Sequence, residues 1–227
     1  MSEKKTLKIT KKDLDKDNFY KEDSVDFDGH IEFEADLLYV KFKKSIKASG
    51  YIFAEAGTGI KARWGIEAGW GIKAGWGIKA GEGIEAGEGI KAGWGIEAGW
   101  GIEAGWGIKA GWGIKAGEGI EAGEGIEAGE GIKAGWGIEA GWGIEAGWGI
   151  KAGTGIKAGW GIKAGEGIIT FFGNIAAKFI SALRICAGFH KEETCEIIAV
   201  IRKGTVILGT VKKPQKKTAS EAELKKV

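Results

Sequence analysis

Isoleucine recurs at every sixth position from Ile60 to Ile168, nineteen times without a miss. Each of the first eighteen is followed by Lys or Glu, then Ala, then Gly (Arg63 once), then a variable residue, then Gly. Ile and Ala lie two apart and point to one face of a short strand, with the charged residue between them on the other. Two glycines in each repeat exclude a stable helix, at about 1 kcal/mol each relative to Ala. A flexible linker would be Ser-rich and poor in large apolar groups. The pattern predicts an all-β fold, a parallel β-solenoid with isoleucine ladders inside. The Gly-X-Gly segment is expected to turn the chain because Gly tolerates positive φ.

The flanks break the rhythm. Residues 1–25 are charged and irregular and read as a flexible arm. Residues 26–56 read as an N-terminal β cap. Ile31–Asp36 and Leu38–Phe42 alternate apolar and polar positions, and Ile46–Tyr51 and Ala54–Gly59 are imperfect copies of the repeat. The repeat body is 57–168. Residues 169–211 are expected to form a C-terminal cap with a β-hairpin, its strands Glu196–Ile201 and Thr205–Leu208 joined by Arg202-Lys203-Gly204. Residues 212–227 read as a basic disordered tail. Atypical ends suit a solenoid, which must stop end-to-end stacking.

Coil length stays undecided between three repeats and two, that is, between 18-residue and 12-residue coils. With three, ten of the 15 Lys/Glu pairs from Lys61 onward are like-charged; with two, eleven of 16 are opposite. Like charges across a ladder are unfavourable by tenths of a kcal/mol to about 1 each, which favours two. The variable site favours three. Three repeats apart, Trp meets Trp or Glu meets Glu in only 3 of 16 pairs, so bulky and slim side chains interleave.

Ile-Lys-Ala-Gly and Ile-Glu-Ala-Gly resemble the hexapeptide repeats of left-handed parallel β-helices, best known from acyltransferases, over about residues 46–168. That resemblance implies an inward Ile and three repeats per coil. The family places a small inward residue four after the Ile, where this chain has mostly Trp or Glu. The near-identical repeats are also similar to hexapeptide-repeat proteins of phages and prophages.

Charge is uneven. Residues 1–56 carry −1, 57–168 carry −3 and 169–227 carry +6, which together give the net +2. No broad basic field covers the body, which weakens a general DNA-binding reading. Two cysteines are too few for a disulfide framework. No signal peptide and no run of about 18 apolar residues is present, so the expectation is a cytoplasmic chain without a membrane partner. Cys186, His190 and Cys195 lack standard zinc spacing, and Asp26, Asp28 and Glu32 lack a calcium-loop series. Neither metal nor cofactor is expected. The hexapeptide enzymes use a His as general base, but His30 and His190 both lie outside the repeat, and the chain is not expected to be an enzyme.

The variable site carries the functional signal. Its tryptophans are Trp64, Trp70, Trp76, Trp94, Trp100, Trp106, Trp112, Trp136, Trp142, Trp148 and Trp160; its acids include Glu82, Glu88, Glu118, Glu124 and Glu130. A buried unpaired Glu costs several kcal/mol, so a site that accepts both is expected to be exposed. Exposed Trp marks contact surfaces; equally, the indoles could pack on one another. The leading expectation is a non-catalytic protein that binds a protein partner, in the manner of a phage or prophage inhibitor of a host defence system (anti-CRISPR or anti-restriction). The alternatives are a self-associating structural solenoid and a binder of single-stranded nucleic acid.

Overall fold

The computed structural model describes residues 5–188 and 195–213. The repeat body is a parallel β-solenoid. Each Ile-Lys/Glu-Ala triplet forms a short strand. Each strand pairs in parallel with the strands three repeats before and after it, as Ile78 does with Ile60 and Ile96. Three strands make one coil, so the rod has three faces and the longer of the two coil lengths is the one adopted. Isoleucine stacks on isoleucine, as in Ile66, Ile84 and Ile102, and the Ile and Ala side chains of every repeat are buried. Burying each Ile is worth roughly 1.5–3 kcal/mol, so the interior is the main source of stability.

The turns are closed by backbone bonds between coils. The N–H groups of Ile78, Gly81 and Trp94 donate to the carbonyls of Gly95 (3.0 Å), Ala62 (3.1 Å) and Trp76 (3.3 Å). The role expected for the glycines is corrected here. From Gly59 to Gly167 no glycine has positive φ; that conformation belongs to flanking glycines such as Gly57 and Gly188. The first glycine of each unit is instead required by close approach of coils. A Cβ on Gly111 would lie 2.0 Å from the carbonyl oxygen of Gly93. Arg63 takes this slot where the preceding coil is longer, Phe42 pairing with Ala62.

The N-terminal coils taper. Lys5 pairs with Gly29, Val25 with Ile46 and Leu38 with Thr58, offsets of twenty-four, twenty-one and twenty positions, before the offset settles at eighteen from Ile60 and Ile78 onward. Wider coils admit larger plugs. Phe33, Phe42 and Tyr20 fill the end, with ring centroids of Tyr20 and Phe42 5.5 Å apart. Thr58, in the variable slot, turns inward. Its hydroxyl donates to the Glu34 carbonyl (2.7 Å) and accepts from Leu37 N–H (3.0 Å).

Two expectations for the flanks are corrected. Within the stretch read as an arm, Lys5–Ile9 is a strand paired with Gly29–Phe33, and Lys11–Asp13 is a 3₁₀ turn. The expected hairpin is a single strand, Glu196–Leu208, that runs parallel to Ile175–Cys186. Gly204 (φ 125°) bends it without reversing it. Most of the basic tail, 214–227, and His190 lie outside the described residues.

Candidate interaction faces and edges

With three strands per coil, the Lys/Glu slots fall into three columns, one per face. The lysine face carries Lys61, Lys79, Glu97, Lys115, Lys133 and Lys151. The glutamate face carries Glu67, Glu85, Glu103, Glu121 and Glu139 in an unbroken run, with Lys47 before it and Lys157 after it. The mixed face carries Lys73, Lys91, Lys109, Glu127, Glu145 and Lys163. Coils rise about 4.8 Å, so neighbouring carboxylates on the glutamate face stand about that far apart at their backbones. Such like-charged neighbours cost stability.

Variable residues form the three edges. Trp64, Glu82, Trp100, Glu118 and Trp136 run between the lysine and glutamate faces. Trp70, Glu88, Trp106, Glu124, Trp142 and Trp160 run between the glutamate and mixed faces. Trp76, Trp94, Trp112, Glu130, Trp148 and Glu166 run between the mixed and lysine faces. All the tryptophans except Trp76 are exposed, from 39% at Trp94 to 72% at Trp142. Glu82, Glu88 and Glu118 are half-buried between the indoles of adjoining coils. The large inward residue that would conflict with a narrow core is therefore absent; the slot faces out.

The two readings of the tryptophans divide by edge. On the third edge Trp76, Trp94 and Trp112 stack at 4.8 and 5.1 Å, nearly parallel at 9° and 2°, with Tyr39 against the end of the column. There the indoles use their faces on one another. On the other two edges Trp alternates with Glu from Trp64 to Trp136 and from Trp70 to Trp142. Above the second edge His30 stacks on Tyr51 at 3.9 Å and accepts the Tyr51 N–H, so its ring is engaged in the cap.

Each face carries a groove between an edge and its charged column, floored by the second glycine of the repeat. The groove of the mixed face is about 1220 Å³ and includes Tyr51, Phe53, Trp70, Trp142, Trp160 and Phe179. Those of the lysine and glutamate faces are about 1000 and 850 Å³.

Ion pairs follow the columns. Glu97 lies 3.1 Å from Lys115 and 3.5 Å from Lys79, and the hydrogen bond from Lys115 holds its carboxyl below the usual carboxylate range. The folded value is depressed, so its contribution is present above the unfolded carboxylate pKa and fades as pH falls through the folded one. Solvent screening keeps such a pair below about 1 kcal/mol. Glu97→Gln should therefore lower stability slightly at neutral pH and not at strongly acidic pH, as urea titrations at both would show. On the glutamate face ion pairs form only at the ends, Lys47 with Glu67 (2.7 Å) and Lys157 with Glu139. Glu85, Glu103 and Glu121 have Glu on both sides.

Among the described residues no group of three His, Cys, Asp or Glu side chains is placed to hold a metal, and no helix is long and apolar enough to cross a membrane. Cys186 and Cys195 are buried free thiols. The segregation of charge by face goes beyond what the linear pattern suggests; its signal is a Glu at every third charged slot from Glu67 to Glu139. Comparison of the chain with family models, curated proteins and solved structures gives no match.

Proposed function

We propose that this chain is a non-catalytic binding protein whose glutamate face and the two edges beside it grip a basic surface of a partner protein. The observation that carries the reading is the composition of that face, coil by coil. It alternates Trp64-Glu67-Trp70 with Glu82-Glu85-Glu88, then Trp100-Glu103-Trp106 with Glu118-Glu121-Glu124, and ends on Trp136-Glu139-Trp142. Nine carboxylates fill the charged and variable slots of this face and its edges over five coils, with no Lys or Arg in those slots. Cations border them only at the ends, Arg63 and Lys44 beside Trp64, Lys47 on Glu67 and Lys157 on Glu139. The repeat accepts Lys as readily as Glu, so the fold did not require this. The arrangement concentrates acid where it weakens the rod, which a cationic partner would offset by supplying the missing charge. Flanking tryptophans give the apolar anchors and the Arg-stacking faces that interface hot spots use.

A rod that covers a basic cleft on another protein suits a blocking role. The similarity of the repeats to phage and prophage hexapeptide chains suggests the finer form, an inhibitor of a host defence system of the anti-CRISPR or anti-restriction type. Nucleic acid is less favoured, because the indoles beside the lysine face that stack on each other are not free to stack on bases.

The test is capture from a bacterial lysate with wild type, with all six tryptophans Trp64, Trp70, Trp100, Trp106, Trp136 and Trp142 of the two edges changed to Ser, and with Glu85→Gln/Glu103→Gln/Glu121→Gln. Wild type should retain a protein that elutes with salt, and both variants should lose it. Retention of the same protein by both variants, or capture of nothing by wild type, would sink the proposal.

A further inference from the structure

The mixed face has a property that the other two lack: its charge sequence is complementary to its own reverse. Its column reads Lys73, Lys91, Lys109, Glu127, Glu145, Lys163, every step one coil. Two copies can be laid antiparallel with these faces in contact. The twofold axis then lies in the contact plane, across the rod, level with the midpoint between Lys109 and Glu127. Each column lies on its own counterpart in reverse order.

Lys109 meets the partner's Glu127, and Lys91 meets the partner's Glu145. The two inner coils bring together two Lys109–Glu127 pairs, already 2.7 Å apart within each copy, as a ring of alternating charge. Only Lys73 and Lys163 meet a like charge.

The edges match by bulk as well. On the second edge Trp106 meets the partner's Glu124, and Glu88 meets the partner's Trp142. On the third edge Trp112 meets the partner's Glu130, and Trp76 meets the partner's Glu166. A large side chain faces a slim acidic one in each case, and the two remaining contacts are Trp on Trp.

The same operation on the glutamate face sets Glu103 on the partner's Glu121. On the lysine face it sets Lys79 on the partner's Lys133. A parallel twofold along the rod sets every charge on itself. Among contacts of a face with its own copy, the antiparallel pairing on the mixed face is thus the one that the charges permit, and it covers the groove of about 1220 Å³ on that face. Six coils make a face roughly 29 Å long and about 17 Å across, which buries about 1,000 Å² in total, near the lower limit for a specific interface.

We infer that two copies of this chain associate as an antiparallel dimer through the mixed face. The contact is isologous and closed, so it ends at two copies rather than growing into a filament. It leaves the glutamate face and the first edge of each copy uncovered but engages the second edge, which the proposed partner would also contact. Lys91 and Glu145 lie off that edge, so their variants test dimerisation without altering the capture surface.

Sedimentation equilibrium of the full chain, from about 1 to 200 µM, tests it, a range that covers the weak association common among interfaces at the small end of the scale. Wild type should fit a monomer–dimer equilibrium. Lys91→Glu, exposed and outside the core, should raise the dissociation constant about tenfold or more, since the symmetry repeats the lost contact. Adding Glu145→Lys should restore association, because the swapped pair again has opposite charges. Lys133→Glu on the lysine face should change nothing. The inference is overturned by a wild-type chain that stays monomeric throughout, by association beyond the dimer, by a dimer indifferent to Lys91→Glu, or by failure of the charge swap. Circular dichroism confirms that each variant keeps its strands.

Discussion

Gly111→Ala should destabilise the rod by about 3 kcal/mol, whereas Gly113→Ala, in the same repeat, should cost under about 1 kcal/mol. Helix or strand propensity does not separate the two glycines. Their surroundings do. The Cβ of an alanine at 111 would stand 2.0 Å from the Gly93 oxygen and 3.1 Å from its carbon, both rigid backbone. Relief requires the coils to part, which stretches the bonds from Gly111 N–H to Ala92 and from Trp112 N–H to Trp94, each 3.1 Å. At Gly113 the nearest atom is the Gly131 oxygen at 3.2 Å, which a shift of a few tenths of an ångström relieves. The smaller strain there is partly offset by the lower entropy of an unfolded chain with one glycine fewer. Urea denaturation followed by strand circular dichroism measures both. Equal costs would mean that the coils part without penalty and that coil spacing does not select the first glycine. Because a solenoid's stability is a sum over neighbours, the loss at Gly111 should also appear as local opening of the adjoining coils, read by hydrogen exchange.

The interior is legible in the sequence because burial acts on every unit alike. Ile and Ala two apart define an inward face, and eighteen copies leave no other period. Coil length is harder, for a reason of magnitude. The like-charge count points to two repeats per coil, yet Glu85 sits between Glu67 and Glu103 in the folded rod. Exposed charges interact by tenths of a kcal/mol, too little to set the path of a backbone whose coil bonds and buried isoleucines contribute far more. The interleaving of Trp and Glu three repeats apart is the better guide, since bulk at an edge cannot be screened by water. The expected hairpin fails because Arg202-Lys203-Gly204 resembles a turn only in isolation. Ile185 pairs with Val206 and Ile175 with Ile197, so the preceding coil offers a parallel partner on both sides of Gly204. Stacking of Trp76, Trp94 and Trp112 is not readable from the variable slot alone. It arises where one column carries three successive tryptophans, and which residues share a column follows only once the coil length is known.

Deleting Ile96–Gly101, a single repeat, should leave a folded solenoid that no longer captures the partner, whereas deleting three repeats' worth of chain, 97–114, should leave one that still does. The repeats are nearly interchangeable within the core, so either deletion rejoins an Ile-Lys/Glu-Ala-Gly unit to another and keeps the inward ladder. The difference is rotation. The longer deletion removes one whole coil, and every later side chain stays on its face. Glu121 then follows Glu85 directly on the glutamate face, and Trp and Glu still alternate along most of its two edges. Removing a single repeat turns everything after the junction by one face. Glu67 and Glu85 keep their place, but Lys109 follows them, while Glu103, Glu121 and Glu139 continue the lysine column below Lys79. The acidic run is split between two faces, although composition, core and almost all of the length are preserved. Partner capture from lysate should fall to background for the single-repeat deletion and persist for the longer one, with thermal melts within a few degrees of each other for this array of weakly coupled repeats. Capture by both would show that the exposed tryptophans bind irrespective of which carboxylates lie beside them. Capture by neither, with both folded, would place the binding surface in the coils removed or in a fixed distance between the caps. The face arrangement, which the chain maintains against its own charge repulsion, is what the paired deletions isolate from the fold that carries it.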